Sequence, residues 1–290
     1  MKNLNYELKN LCKRNRDGGH ATQAKRHQTL QLAATQLLTR TKYRRMEVTS
    51  LREDHVKALV ALWKEDNLSI NTIKARMSCL RWWAEKIGKP NIISKNNSDY
   101  GIENRRHIPT ESKACDVSQG QIARIENPYV QASLMLAREF GLRKEEAIKF
   151  TPSYADQGDH IRLKSSWCKG GKARTVPILT PAQREALEFA KSVAGRGSLI
   201  PPELSFQQQC GFYEKETVKV GLKALHGLRH QYAQSRYEEL TGWKSPLAGG
   251  PKQKDLTPDQ RDKDKEVRLL ISKELGHERL QITATYIGSN

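Results

Sequence analysis

Leu275-Gly276-His277-Glu278-Arg279-Leu280-Gln281-Ile282-Thr283-Ala284-Thr285-Tyr286 is the stretch on which the reading of this 290-residue chain turns. The Leu-Gly pair reads as a helix stop, His277 follows it directly, and the tyrosine comes nine residues later, four from the end. Two blocks upstream carry related residue types, Gly141-Leu142-Arg143 and His226-Gly227-Leu228-Arg229. Two arginines, two histidines and a late tyrosine are the groups needed to attack a phosphodiester and to hold the charge that develops on it.

The charge balance points the same way. The chain carries 50 Lys and Arg against 32 Asp and Glu, a formal charge of +18. A surplus this large is the electrostatic footprint of a polyanion's partner, most often nucleic acid. Residues 1–105 hold 21 basic and 10 acidic side chains and the remaining 185 hold 29 and 22, so the front third is the more charge-dense part. Five scattered cysteines (12, 79, 115, 168 and 210) lack any C-x-x-C spacing, which argues against a disulfide framework and a zinc site. No apolar leader and no 18-residue apolar run is present, so neither signal peptide nor membrane span is expected, and the location expected is cytoplasmic, at the nucleoid.

Periodicity divides the chain. Leu30, Ala33, Ala34, Leu37 and Leu38 form one helical stripe. Ser50-x-x-Glu53 reads as a capping box opening a second helix, with Val56, Leu59, Val60 and Trp63 inward. A third runs from Ser69, with Ile70, Ile73, Met77 and Leu80 at helical spacing, to Gly88-Lys89-Pro90. The polar stretch that follows reads as the close of a small helical domain and a linker. Beyond it, Ser118 begins a helix and Pro128–Phe140 forms another, ending at Gly141. Ile161–Lys164 and Lys172–Ile178, about Gly170-Gly171, read as a β-hairpin. Thr180-Pro181 opens a further helix, and helices dominate 205–240 and 266–286. Thr241–Lys265, polar, charged and bearing Gly and Pro, reads as a flexible insert.

Phosphodiester chemistry assigns candidate roles. Arginine stays charged and gives two hydrogen bonds to a phosphate, which makes Arg143 and Arg229 candidates; each taken singly is an ordinary surface or DNA-backbone contact. His226 and Arg229 stand i, i+3 on one helical face, where the ring can donate to the same phosphate or shuttle a proton. His277 is a further candidate, although a lone histidine is more often structural. Tyr286 has a phenol that needs nearby cations or a base to act as nucleophile; Tyr232 and Tyr237 read as packing. In Cys168-Lys169-Gly170-Gly171-Lys172-Ala173-Arg174, Lys172 and Arg174 read as DNA-backbone grips. Lys169 is the candidate acid for the leaving 5′ oxygen, with Lys164 the competing choice. No phosphate loop, dinucleotide fingerprint or acidic cluster of two-metal type appears, so no metal and no cofactor is expected.

In this order (Arg, Lys, His-x-x-Arg, Leu-Gly-His, Tyr) the motifs closely resemble the catalytic half of tyrosine recombinases, the phage-integrase family. The matching blocks are Gly141–Glu146, Lys169–Pro177, His226–His230, and Leu275–His277 through Thr283–Tyr286, over roughly residues 115–290. The front third is similar to the family's core-binding domain in size, charge and helix content. The resemblance implies a mainly α fold with a small antiparallel β-hairpin in the catalytic domain. It implies a helical core-binding domain over 1–105, a linker over 106–116 and a catalytic domain over 117–290 that contains the 241–265 insert, the two domains forming a C-shaped clamp on double-stranded DNA.

It further implies that Tyr286 forms a 3′-phosphotyrosyl link while Arg143 and Arg229 hold the non-bridging oxygens. His226 and His277 would assist, Lys169 would be the acid, and Glu146 would brace the first arginine. Members of this kind act as a homo-tetramer on two duplexes through a Holliday junction, without metal or high-energy cofactor; an accessory DNA-bending protein is a candidate partner. Here Arg229 and His277 are 48 positions apart, longer than is common in the family. Four residues follow Tyr286, so the docking segment that many relatives carry after the tyrosine does not carry over. The function expected is a site-specific recombinase or integrase of a mobile element. Its alternatives are a replicon-dimer resolvase or DNA invertase of the same chemistry, a relaxing topoisomerase, and a non-catalytic DNA-binding protein.

Overall fold

The computed structural model describes residues 4–104, 109–277 and 280–289. The chain divides into two compact units, Met1–Arg106 and His107–Asn290, each with its own apolar core. Residues 105–108, the last three of which open the expected linker, lie outside the described residues.

The first unit is helical: α1 (Leu4–Arg14), α2 (His20–Arg40), α3 (Glu53–Glu65) and α4 (Ile70–Lys86). The apolar stripes meet in its centre, where Leu30, Ala33, Ala34, Leu37, Val56, Leu59, Trp63, Met77 and Leu80 are all buried. Buried indoles need an acceptor for the N–H. Trp63 donates to Gln36 Oε1 at 2.8 Å and Trp83 to the Val48 carbonyl at 2.9 Å. Helix α1, which supplies Leu4 and Leu8 to this core, was not expected. The start of α3 also departs from the expected Ser50-x-x-Glu53 box. Ser50 lies in a 3-10 turn, Val48–Ser50, the N-cap is Arg52, and its backbone N–H is taken by His55 Nδ1 at 3.1 Å.

The second unit runs α5 (Gln119–Ala123), α6 (Pro128–Phe140), α7 (Lys144–Ile148), α8 (Pro152–Ala155), β1 (His160–Leu163), β2 (Arg174–Pro177), α9 (Pro181–Ala194), α10 (Phe206–Lys219), α11 (Gly227–Thr241), α12 (Pro258–Glu274) and α13 (Leu280–Ile287). The strands pair antiparallel, with Ile161 opposite Val176 and Leu163 opposite Arg174. The expected mainly α fold with one small antiparallel hairpin is the fold observed. Four helices open on the same reciprocal cap, in which a Ser or Thr oxygen accepts from the third helical N–H and a Gln side chain there reaches back. The pairs are Ser118/Gln121, Thr180/Gln183, Ser205/Gln208 and Thr257/Gln260.

Thr241–Lys265 is not the single flexible insert expected. Residues 258–265 are the first two turns of α12, and two 3-10 turns, Pro246–Ala248 and Gln253–Asp255, lie before them. Asp264 is buried, accepting from the Tyr237 hydroxyl at 2.5 Å and from Arg268 Nε at 2.8 Å. Charged side chains in the sequence concealed the first two turns of this helix, where the one buried side chain is itself charged. Among the described residues no helix is long and apolar enough to cross a membrane.

Gly141 ends α6 at φ +59°, and a Cβ there would lie 2.7 Å from the Tyr232 ring. Gly221, at φ +78°, faces open space. Both substitutions to alanine carry left-handed strain of about 1–2 kcal/mol, and only Gly141→Ala must also displace a buried ring, adding about 1–3 kcal/mol. Urea midpoints are therefore expected to fall further for Gly141→Ala than for Gly221→Ala; equal losses would remove the ring contact from the argument.

Candidate active site

A buried carboxylate organises the site. Glu146, on α7, is wholly inaccessible, and a charge so placed needs partners. Arg174, on β2, grips it with both ends of the guanidinium, Nη1 to Oε1 at 2.8 Å and Nη2 to Oε2 at 2.7 Å. Arg143 Nη1 donates to Oε1 at 2.7 Å, and the Arg143 backbone N–H to Oε2 at 2.8 Å, which also caps α7. Burial works to raise the carboxyl pKa. The hydrogen bonds and charge of Arg174, with the charges of Arg229 and Arg143, outweigh it and bring Glu146 down to about 2.

Arg229, near the start of α11, is 1% exposed and pairs with no carboxylate of its own among the described residues. Its Nη1 donates to the Gly141 carbonyl at 2.6 Å and its Nη2 to the Leu275 carbonyl. These are the carbonyl ends of α6 and α12, where unpaired acceptors and the negative pole of each helix gather. Arg174 Nε serves the same end of α12 through the Glu274 carbonyl at 2.9 Å. Burial, with Arg143 and Arg174 nearby, lowers Arg229 to about 10, so it stays charged at neutral pH. Gly276 turns the chain past this cluster at φ +66°; a Cβ there would come within 2.9 Å of Arg174 Cδ. That closeness is the physical content of the Leu-Gly-His signature.

The tyrosine and two histidines close the site. Arg229 Nε donates to Tyr286 Oη at 3.3 Å, and His277 Nε2 lies 3.3 Å from the same oxygen. His277 Nε2 is also 3.5 Å from Arg143 Nη2 and from Arg229 Nη2. His226 is at the N-cap of α11 with helical backbone, its ring 6.1 Å from that of Tyr286. Burial first, then the neighbouring guanidinium groups, push His277 down to about 4 and also lower His226. Among the described residues Arg143, Arg174 and Arg229 face one carboxylate, Glu146, leaving two surplus positive charges beside a phenol, an arrangement that attracts an anion.

The structure therefore brings together Arg143, Glu146, His226, Arg229, His277 and Tyr286. Lys169 stands apart, exposed on the hairpin turn beside Gly170 and Gly171. Its competitor Lys164 lies over the rings of Tyr154 (4.1 Å) and Trp167 (5.3 Å). Lys172 is exposed on the same turn. The expectation that Arg174 grips a DNA backbone is corrected: its side chain is 6% exposed and its donors are engaged by Glu146, Glu274 and Cys168. It is an internal brace, because the strand alternation that exposes Thr175 turns its neighbour inward. Two contributors went unread in the sequence. His230 packs its ring 4.7 Å from that of Tyr286, and Gln234 donates to the Tyr286 carbonyl at 2.9 Å. Their i+4 and i+8 spacing from His226 was the available signal. Among the described residues no group of three His, Cys, Asp or Glu side chains is arranged to hold a metal ion.

Glu146→Gln leaves the surrounding guanidinium groups without their counter-charge and is expected to cost about 3–5 kcal/mol of stability, read as a fall in denaturant midpoint at pH 7; a loss below about 1 kcal/mol would contradict the pairing. The pH dependence has a defined sign. Glu146 contributes fully above its ordinary value of 4.5 and loses that contribution as pH falls toward 2. His230 and His277, held near 4 instead of 6.5, stay neutral in the fold while the unfolded chain takes up protons, so stability also falls between pH 6.5 and 4. A midpoint series is expected to decline continuously from pH 6.5 downward, and a flat profile across 6.5 to 4 would exclude the neutral histidines.

Two family models match the chain, "Phage integrase, N-terminal" over residues 1–93 and "Integrase" over residues 105–235. The second contains Arg143, Lys169, His226 and Arg229 but stops before His277 and Tyr286. Among solved structures, a Tn1549 transposon integrase in complex with circular intermediate DNA aligns with a TM-score of 0.56 at 13% identity, covering 100% of this chain and 96% of that one. The XerH site-specific recombinase bound to palindromic difH substrate aligns at 0.62 and 17%, covering 99% and 81%. A lambda integrase dimer bound to a COC′ core site aligns at 0.64 and 14%, covering 98% and 76%. Among curated protein sequences none matches. With both halves of the chain matched by integrase models and the fold shared with these recombinases, the chain belongs to the phage-integrase family of tyrosine recombinases.

Proposed function

We propose that the protein is a site-specific DNA recombinase, an integrase of a mobile element, which cuts and rejoins DNA through a 3′-phosphotyrosyl intermediate. The observation that carries this reading is the phenol of Tyr286 within 3.3 Å of both Arg229 Nε and His277 Nε2, beside Arg143. A phosphate entering this pocket meets two guanidinium groups that hold its non-bridging oxygens, as the charge spreading over them requires. Tyr286 Oη attacks phosphorus, its proton passing to a neutral histidine, of which His277 is the nearer; His226 hydrogen-bonds the same phosphate. The leaving 5′ oxygen takes a proton from Lys169, carried in by the hairpin turn, with Lys164 the alternative donor. Reversal of these steps, with a new 5′ hydroxyl attacking the phosphotyrosine, rejoins the strands.

The basic first unit supports a role in tracking DNA phosphates, and the division into core-binding, linker and catalytic parts near residues 105–116 follows that reading. A lambda integrase tetramer bound to a Holliday junction is among the aligned structures, and a tetramer on two duplexes is proposed here. The second reading is resolution of replicon dimers or inversion of a segment with the same chemistry.

On a nicked DNA substrate that traps the covalent product, wild type is expected to accumulate an adduct, and Tyr286→Phe none, while DNA affinity changes less than about threefold. Loss of binding in parallel with loss of cleavage would count against the nucleophile. Arg143→Ala is expected to slow adduct formation by about 10²–10³-fold, the cost of one lost oxyanion donor; a near-normal rate would remove Arg143 from the chemistry.

A further inference from the structure

Residues 112–115, within the stretch read as the linker, lie along one face of α11. The Cys115 N–H donates to the Gly227 carbonyl at 3.3 Å. A Cβ at Gly227 would come within 2.6 Å of both the Lys113 carbonyl and Cys115 Sγ, so glycine is what lets the segment approach. Seven residues along the same face, Gln234 is buried and exchanges hydrogen bonds with Ser112. The Ser112 hydroxyl donates to Gln234 Oε1 at 3.2 Å, and Gln234 Nε2 reaches Ser112 Oγ at 2.9 Å. The same Nε2 donates to the main-chain carbonyl of Tyr286 at 2.9 Å. Between these two anchors, at the i+3 position, the His230 ring packs on that of Tyr286.

We propose that Gln234 is a positioning residue for the nucleophile, and that through it the strap at residues 112–115 sets the placement of the tyrosine-bearing helix α13. A carbonyl four residues from a helix's end has no intrahelical donor to hold it, and Tyr286 is the penultimate residue of α13. Gln234 supplies the missing donor. Because one amide group serves both partners, a shift of the strap by an ångström must either stretch the bond to Tyr286 or carry the helix with it. Cleavage depends steeply on the distance from phenol to phosphorus, so the strap makes the segment that enters this unit a determinant of the reaction rate. The His226, His230 and His277 rings and the Arg229 guanidinium surround the Tyr286 ring; this amide fixes its backbone.

This rests on the cleavage chemistry proposed above, and the test separates the two. Ser112→Ala removes the strap's anchor at an exposed position where folding is not at risk. Gln234→Glu keeps an acceptor for Ser112 but loses the donor to the Tyr286 carbonyl. Hydrogen exchange of the α13 amides, above all that of Gly288, which bonds the Ala284 carbonyl at 3.0 Å, reads backbone anchoring without reference to chemistry. Exchange at α13 is expected to rise at least fivefold in both variants, with thermal midpoints confirming that each is folded. Adduct formation on the trapping substrate is expected to slow tenfold or more in Gln234→Glu and less in Ser112→Ala, with DNA affinity unchanged in both. Should Gln234→Glu fail to fold, the Ser112→Ala exchange pattern decides alone. Unchanged exchange at α13 in the folded variants overturns the strap. Raised exchange with no adduct even from wild type overturns the proposed chemistry and leaves the anchoring intact.

Discussion

The second unit depends on burying charge without leaving it uncompensated. Glu146 lies beneath the surface with Arg143 and Arg174 bonded to it, and Arg229 lies deeper still, held by the carbonyl ends of two helices. Removing any one of these groups strands the others in a medium that solvates them poorly. The arrangement therefore fixes more than its own members. It sets where α6 stops, where α12 stops, how α7 begins and which way β2 faces, because each of those elements contributes a carbonyl, an N–H or a guanidinium to it.

That economy has an electrostatic consequence. Helix ends and one carboxylate are enough to hold three arginines in place, but they do not neutralise them. Burial, reinforced by the remaining positive field, keeps the His277 and His230 rings neutral. Among the described residues three guanidinium groups face one carboxylate, and an anion arriving there would offset part of the surplus. The stability of the unit and its capacity to bind an anion thus have one origin, and the pH range in which the fold weakens is the range in which those histidines charge.

The positions of glycine follow from the same crowding. Gly276 passes within contact of Arg174, Gly227 within contact of the strap, and Gly141 beneath Tyr232. In each case a backbone must come closer to a buried group than any side chain permits, which is why the three motifs that define the site all carry glycine next to a charged or aromatic residue.

Much of this was legible in the sequence. Apolar stripes placed the main helices because burial follows period, Gly170-Gly171 between β-like runs placed the hairpin, and the ordered set Arg143, His226, Arg229, His277 and Tyr286 announced a phosphate-directed site because few other tasks ask for those groups together. What stayed hidden was whatever depends on which side chains meet. Arg174 reads as a surface cation until Glu146, 28 residues away in sequence, is seen to be buried against it. The first two turns of α12 read as part of a polar insert because the one side chain they bury is Asp264, whose partners are Tyr237 on another helix and Arg268 further along its own. Gln234 and Ser112, 122 positions apart, have no local pattern at all. Local chemistry and periodicity are written along the chain, so the sequence by itself determined most of the helices, the hairpin and most of the roster of candidate groups. Partnership between distant charges is decided by burial, and only the tertiary structure decided which arginines face the reacting oxygen and which hold the site together.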